Sequence, residues 1–511
     1  MKKKKKILEP HINKVKTKSA PQHHEGAVVK ISSKGRLKAF IEKKVQSNPY
    51  VSLKKKTREE KPSPSSKLMI SVSGIRGIVG DGLNPEIITK YAAAFGTWAN
   101  GGTIVIGRDS RVSGELVKTA VIAGLLSTGC KIIEIGIVPT PTVEIAVKNL
   151  NAHGGIAITA SHNPVEWNAL KLIGPNGYFL TSFQMDEVLE LAHLNNIAYA
   201  DWDRLGKIQY YDFAIQNHIE KILELPYVTS DSLRKRNFKV VVDCVNGAGG
   251  TIISKLLNEL GCEVITINEE PHGIFPRNPE PTSENLHALE QSVLNHKADI
   301  GFAVDPDVDR LAIVSDEGKA VGEEITLALA TDFVLSHKQG PVVVNASTTM
   351  AIDDIAAKYH CKCHRTKIGE INVSTKMKET HAVIGGEGNG GVILPDIHLG
   401  RDAVTGMVLI LQYMLENQKP ISESIRLLPS YIMKKDKIEL GKIDIAKVLD
   451  KIMKDYSSEK IDLTDGVKIL FKESWIHFRK SNTEPIVRII AEAKTKKELE
   501  KLIKSFTSYF Q

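Results

Sequence analysis

The 511-residue chain has no run of about 18 apolar residues, so no membrane-spanning helix is expected. No apolar stretch follows the lysines at residues 2–6, which speaks against a secretory signal. Cysteine is scarce: Cys130, Cys244, Cys262, Cys361 and Cys363 are odd in number and lack the paired spacing of a zinc site. Neither a disulfide framework nor structural zinc is expected, and reduced thiols fit a cytoplasmic location. A dinucleotide fingerprint is also missing. Residues 245–250 (VNGAGG) are glycine-rich, but GxGxxG is not matched and no acidic ribose ligand follows at the expected spacing.

The formal net charge of +8 is unevenly spread. Twenty of the 68 lysines and arginines, but only five of the 60 acidic residues, fall within residues 1–67, so the rest of the chain is net acidic. Residues 1–67 contain the runs at 2–6 and 54–56, the segment KPSPSS at 61–66 and few large apolar residues, and they read as a mostly disordered basic tail. Such a tail can bind nucleic acid by counterion release. Few aromatic side chains are there to stack bases, so a solvated tail is the plainer reading, as is a translation start placed too early.

From Met69 onward the chain repeats one pattern. A strand at 103–107 leads through RDSR to a helix at 114–127 and a strand at 131–135; a strand at 238–242 leads through DCVNGAGG to a helix ending near 260 and a strand at 263–267. A third copy runs from 341–344 through a helix ending near Tyr359. Length predicts roughly three to four domains at about 150 residues each. Three β-loop-α-β units point to three related α/β domains with mainly parallel pairing. The last segment, 431–511, reads differently, with charged helical patterns around RKSNTEPIVRI, and is expected to form a smaller fourth domain.

Several stretches carry chemistry. In GGIAITASHNPVEWNALK at 154–171, a buried strand ends in Ser161, His162 and Asn163, where open α/β sheets place ligands. A serine delivered there suits a phosphoryl carrier, although Ser, Asn and Pro also dominate ordinary turns. In GFAVDPDVDR, another apolar strand ends in Asp305, Asp307 and Asp309, and three such close carboxylates repel unless a hard cation neutralises them. Oxygen-only ligands favour Mg2+, and Arg310 beside them suits a phosphate. The loop GGEGNGG offers Glu387 and Asn389 to a polar ligand. RKSNTEPIVR offers Arg479, Ser481, Asn482 and Thr483 as a phosphate cradle, and Arg76 lies between glycines in SGIRG.

These motifs together resemble the α-D-phosphohexomutase superfamily, whose members carry TASHNP-type, DxDxDR, GExSG-type and RxSNTxP-type loops in this order. The resemblance spans about Met69 to Gln511 and looks most like the phosphoglucosamine mutases. It implies an α/β architecture of four domains around a central cleft: 68–223 with the phosphoserine loop, 224–322 with the metal loop, 323–430 with the sugar loop and a smaller α+β domain at 431–511 with the phosphate loop. It implies Ser161 as phosphoryl carrier, and Mg2+ held by Ser161, Asp305, Asp307 and Asp309. Arg76, His162, Lys171 and Arg310 would line the transfer site, Glu387 and Asn389 would meet sugar hydroxyls, and Arg479, Ser481, Asn482 and Thr483 the distal phosphate.

The implied reaction moves a phosphoryl group between the 6- and 1-positions of a hexose phosphate through a hexose 1,6-bisphosphate. Glucosamine phosphate is the expected substrate, with glucose or mannose phosphate as the alternative. Many superfamily members have histidine where Gly391 and Glu370 stand here, and sugar choice is the property those departures touch. Glu370 is the candidate discriminator for an amine, unless it merely pairs with Lys367 or Arg365. One competing reading remains: DPDVD also resembles the nucleophile loop of haloacid-dehalogenase phosphatases, in which the first aspartate attacks. That loop should open its domain, however, and it would leave Ser161 without a task.

Overall fold

The computed structural model describes residues 68–439, 441, 443–480 and 486–510. The tail at 1–67 and the residues Ser481, Asn482 and Thr483 lie outside that set. No helix among the described residues is long and apolar enough to cross a membrane.

Three sheets share one topology. In the first unit the strands Thr103–Arg108, Lys131–Ile137, Gly154–Ile158 and Trp167–Ile173 form its core; in the second, Lys239–Asp243, Glu263–Ile267, Ile300–Val304 and Leu311–Ser315; in the third, Val342–Asn345, Cys363–Thr366, Ile384–Glu387 and Gly391–Ile393. Each set runs in the spatial order second, first, third, fourth. The first strand pairs parallel with the second and third, and the fourth turns back antiparallel on the third. The sheets are therefore mixed, which qualifies the expected mainly parallel pairing. The first sheet departs further, adding Leu68–Ser71 and Gly74–Val79 as antiparallel strands and Lys207–Tyr210 as a parallel edge.

One consequence organises the whole molecule. The motif loops around Ser161, Asp305 and Glu387 all occupy the same position, the turn from the third strand into its antiparallel fourth. Third strands are central and buried on both faces, so the chain leaving them is held in place while the loop stays free to carry polar groups. Alternation sends Ile104, Ile106 and Ile156 into one core and Val105 and Ala157 into another. The second and third units share a single core that includes Val242, Phe302, Leu327 and Met407.

The last unit is an antiparallel sheet in the order Ile432–Glu439, Ile486–Ala493, Ser474–Lys480, Val467–Leu470, Lys460–Asp462. The helical pattern expected around RKSNTEPIVRI is not found: Arg479 and Lys480 end one strand and Ile486 begins the next. In Ile486–Ala493 the side chains around Arg488 alternate, with Val487, Ile489 and Ala491 buried and Arg488 facing out, while Trp475 to Phe478 are buried throughout. Helix Lys496–Thr507 covers this sheet through Leu499 and Phe506.

Gly390 shows how tightly the loops are seated. Its φ is +85°, its carbonyl accepts from Leu311 N at 3.0 Å, and a Cβ there would lie 2.4 Å from Leu311 O. Gly390→Ala combines a left-handed backbone with a backbone clash, and is expected to cost about 1–3 kcal/mol. A thermal midpoint equal to that of the unsubstituted protein would contradict this account of the loop.

Candidate functional site

The serine loop begins where the strand Gly154–Ile158 ends. Ser161 is buried and left-handed, with φ +49°. Its N–H donates to Thr159 Oγ1 at 2.9 Å, and Thr159 in turn donates to Asp109 Oδ2 at 2.6 Å. Arg111, buried and paired with Asp109 at 3.0 Å, donates to the carbonyls of Ser161, Asn163, Pro164 and Trp167. One guanidinium thus pins the loop backbone at four points. No local motif marks Arg111, because the carbonyls it binds lie 50–56 positions away. Ser161 Oγ donates to Asp305 Oδ2 at 2.7 Å and lies 3.4 Å from His162 Nδ1, so the serine and metal loops meet directly.

The metal loop is gripped by three units. The Pro306, Asp307 and Val308 carbonyls accept from Ala248, Thr140 and Ala403 N–H groups at 2.8, 2.9 and 3.2 Å. Val308 has φ +63°, a conformation that a β-branched residue tolerates only when its surroundings impose it. The glycine-rich stretch at 245–250 buttresses this loop: a Cβ on Gly247 would lie 2.7 Å from Pro306 Cα.

Asp305 is bonded through both oxygens, its Oδ1 accepting from the Asp309 and Arg310 N–H groups at 3.1 and 3.2 Å, whereas the other two side chains of the triad are half engaged. Asp307 Oδ2 accepts from Thr140 Oγ1 at 2.7 Å and from Lys171 Nζ at 2.6 Å; Asp309 Oδ2 accepts from Lys171 at 3.2 Å and from Arg401 Nη2 at 2.8 Å. Asp307 Oδ1 and Asp309 Oδ1 are buried without a hydrogen-bond partner. Ligand oxygens of the three aspartates lie within 4.8 Å of one another. Two orphaned carboxylate oxygens converging beside a third carboxylate form an all-oxygen donor set that fits Mg2+. Burial, then Asp309 and Asp307, pushes the Asp305 carboxyl well above its usual range. Burial opposes ionisation of Asp309 as well, but Arg401, Lys171 and Arg310 hold it below the usual range.

Cations surround the triad. Burial disfavours the Lys171 ammonium, yet Asp307 and Asp309 outweigh it and raise its pKa. Arg310 donates to Glu280 at 2.6 Å, and its Nε is buried without a hydrogen bond, 3.8 Å from Asp309 Oδ1. Arg76 donates to Asn163 Oδ1 at 2.8 Å. Burial, followed by Arg310 and Arg76, pushes His162 down to about 2, which keeps its imidazole neutral.

The sugar loop joins the same network. Glu387 Oε1 accepts from Asn345 Nδ2 and Gly369 N, both at 2.9 Å, and Oε2 accepts from Arg401 Nη1 at 2.9 Å. Asn389 is half-buried and accepts from Gly391 N at 3.2 Å. Glu370 pairs with neither Lys367 nor Arg365. Arg401 takes both its oxygens, through Nε at 2.9 Å and the backbone N–H at 3.2 Å, while Arg365 pairs with Asp353. Burial pushes the Glu370 carboxyl up to about 8 even with Arg401 beside it. Arg401, which no motif flagged, is therefore a common partner of three carboxylates. In the last unit, Arg479 pairs with Asp465 at 3.1 Å, and Asp465 accepts from Ile368 N at 2.9 Å.

Four family profiles match the chain in order: phosphoglucomutase/phosphomannomutase alpha/beta/alpha domain I over residues 67–196, domain II over 216–318, domain III over 322–431 and the C-terminal domain over 435–508. The chain belongs to the phosphoglucomutase/phosphomannomutase family. It is accordingly a phosphohexomutase, an isomerase working by intramolecular phosphotransfer, and the aspartyl-phosphatase reading falls away. A phosphoglucomutase/phosphomannomutase from Thermococcus kodakarensis is 41% identical, covering 83% of this chain and 94% of the relative. A probable phosphoglucosamine mutase from Methanopyrus kandleri is 36% identical, over 85% and 96%. The crystal structure of a family protein from Burkholderia thailandensis superposes with a TM-score of 0.76 at 26% identity, covering 86% of this chain and 97% of its own.

One further carboxylate lies against the sugar loop. Glu324 accepts from Thr349 N at 3.0 Å, and its carboxylate fills the space where a Cβ on Gly388 would stand. Burial pushes it up to about 7, offset only in part by Lys435 at 3.6 Å. Between pH 4.5 and 7 the folded chain therefore holds a proton there that the unfolded chain releases, so Glu324 lowers stability as pH rises through that window. Glu324→Gln is expected to raise the thermal midpoint at pH 8 and leave it nearly unchanged at pH 4.5. An equal shift at both pH values would contradict the buried, proton-holding carboxyl.

Proposed function

We propose that the chain interconverts glucosamine 6-phosphate and glucosamine 1-phosphate through a phosphorylated Ser161, with a hexose 1,6-bisphosphate as intermediate and activator. The observation that carries the phosphotransfer half is Ser161 Oγ hydrogen-bonded to Asp305 at 2.7 Å, in a loop whose neighbours are Arg76, Lys171 and Arg310. In each half-reaction the bond from phosphorus to one oxygen breaks and a bond to the other forms. When the sugar is phosphorylated, its hydroxyl proton ends on Ser161 Oγ; the second half reverses this at the other end of the sugar. Arg76, Lys171 and Arg310 neutralise the moving phosphoryl charge, and neutral His162 adds a polar ring without adding positive charge. Ser161, Asp305, Asp307 and Asp309 would hold Mg2+, which when bound supplies charge neutralisation at the phosphoryl oxygens. Arg479, Ser481, Asn482 and Thr483 would hold the phosphate that is not reacting, and Glu387 with Asn389 the sugar hydroxyls.

The hexosamine half rests on acceptor oxygens. Glu324, Glu370 and Glu387 border the sugar loop, and their carboxyl oxygens accept hydrogen bonds whether or not burial keeps Glu324 and Glu370 protonated. A protonated 2-amine donates a charge-assisted hydrogen bond to such an oxygen where a hydroxyl donates a neutral one, a contact worth about 1.5–3 kcal/mol, roughly ten- to a hundred-fold in preference. The name of the Methanopyrus relative agrees with this reading. One observation favours a second reading, glucose and mannose phosphates: the 41% identical Thermococcus relative carries that activity in its name.

Two measurements bear on these halves separately. Ser161→Ala is expected to lower kcat by at least about 10³-fold without unfolding, and to lose a phosphate adduct seen by intact mass in the unsubstituted protein. Retained turnover in that variant would refute the serine mechanism. Side-by-side kcat/KM values on glucosamine, glucose and mannose phosphates are expected to favour glucosamine by about ten-fold or more. A preference for either other sugar would overturn the substrate assignment and leave the phosphotransfer intact.

A further inference from the structure

Glu370 and Gly391, the two positions on which sugar choice is expected to turn, both lie against Arg401. Glu370 gives it both carboxylate oxygens, and a Cβ on Gly391 would lie 2.2 Å from Arg401 Cδ. The arginine thus fills space at the sugar loop that a side chain at position 391 would claim. Its fork then divides among three units of function: Nε to Glu370 at 2.9 Å, Nη1 to Glu387 at 2.9 Å and Nη2 to Asp309 at 2.8 Å.

The backbone on either side of this guanidinium is fixed to the same two loops. Asp402 N donates to Val392 O, in the strand that returns from the sugar loop, at 2.8 Å, and Ala403 N donates to Val308 O in the metal loop at 3.2 Å. Asp402 caps the helix Ala403–Asn417 through Val404 N at 2.9 Å and accepts from buried His218 at 2.9 Å. His398, three residues before Arg401, lies 2.9 Å from Glu144 in the first unit. An arginine anchored this firmly cannot follow one loop without affecting the other.

We propose that Arg401 is a positioning residue that couples the metal loop to the sugar loop, so that occupancy of the Asp305/Asp307/Asp309 site strengthens binding of the sugar phosphate. This rests on the reading of Asp309 as a metal ligand and Glu387 as a sugar ligand. With Mg2+ held by the triad, Asp309 would share its charge between the ion and Arg401, and the guanidinium would bear more strongly on Glu387 and Glu370, holding Glu387 toward the sugar hydroxyls. By linkage the sugar phosphate must tighten the metal by the same factor.

The test is calorimetric titration of the full chain with glucosamine 6-phosphate, with and without saturating Mg2+. The unsubstituted protein is expected to bind at least about five-fold more tightly with Mg2+. Arg401→Lys keeps the charge but replaces a planar fork by a point charge unable to span three carboxylates, so this ratio should fall to near one while Mg2+ itself still binds. Should that variant not fold, Arg401→Gln combined with Glu370→Gln removes one cation and one carboxylate together, and should show the same loss. In a Glu387→Gln background, Arg401→Lys should have no further effect on the ratio. A ratio that survives in the Arg401 variants, or one already near one in the unsubstituted protein, overturns the coupling. Failure of the underlying site assignment looks different: unsubstituted turnover would survive exhaustive chelation, or Glu387→Gln would leave sugar-phosphate affinity unchanged.

Discussion

Three buried carboxylates at the end of one strand are the constraint to which the rest of the structure answers. Asp305, Asp307 and Asp309 are almost fully removed from solvent. A buried charge left without its partner costs about 3–5 kcal/mol, so the loop can exist only where positive groups and donors reach it. Few of them come from the same unit. Lys171, Thr140 and Ser161 arrive from the first unit and Arg401 from the third. The acidic loop is thus a clamp between units as well as a site, and the requirement to satisfy it aligns the serine and sugar loops with each other.

A repeated unit makes that alignment possible. All three sheets place a turn between a doubly buried third strand and an antiparallel fourth, and each of those turns bears a different chemistry: a hydroxyl, a set of carboxylates, and glycines around Glu387. The strands hold the turns rigid, while the residues within each turn remain free to differ. Strain collects in the same places, with Ser161 and Val308 at positive φ and Gly390 pressed against Leu311. A phosphoryl transfer that relies on positioning and charge needs such rigidity more than it needs reactive groups.

The network also changes the meaning of individual residues. Glu370 reads in the sequence as a carboxylate for an amine or for nearby Lys367 or Arg365, but in the fold Arg401 holds both its oxygens. Gly391 reads as a missing side chain, but Arg401 occupies its space. Arg111 reads as part of a charged loop, but it fastens four carbonyls of the serine turn. In each case a single arginine with five donors in a fixed fork performs what a sequence motif cannot announce.

Local order along the chain was sufficient for much of this protein. The apolar runs ending in TASHNP and DPDVDR, the helix at 114–127 and the strand at 263–267 depend on contacts within a few residues, and periodicity with turn chemistry located them. The clustering of three aspartates at alternate positions likewise pointed to a site that positive charge must reach, because like charges so close repel unless cations neutralise them. Tertiary structure alone decided the antiparallel fourth strands, the extended backbone on both sides of the RKSNTEP segment, and the partners of Glu370 and Arg111. The physical reason is range. A hydrogen bond from Arg401 to Asp309 spans 92 positions, and Lys171 to Asp307 spans 136, so nothing near either residue in the sequence records the charge it was placed to meet.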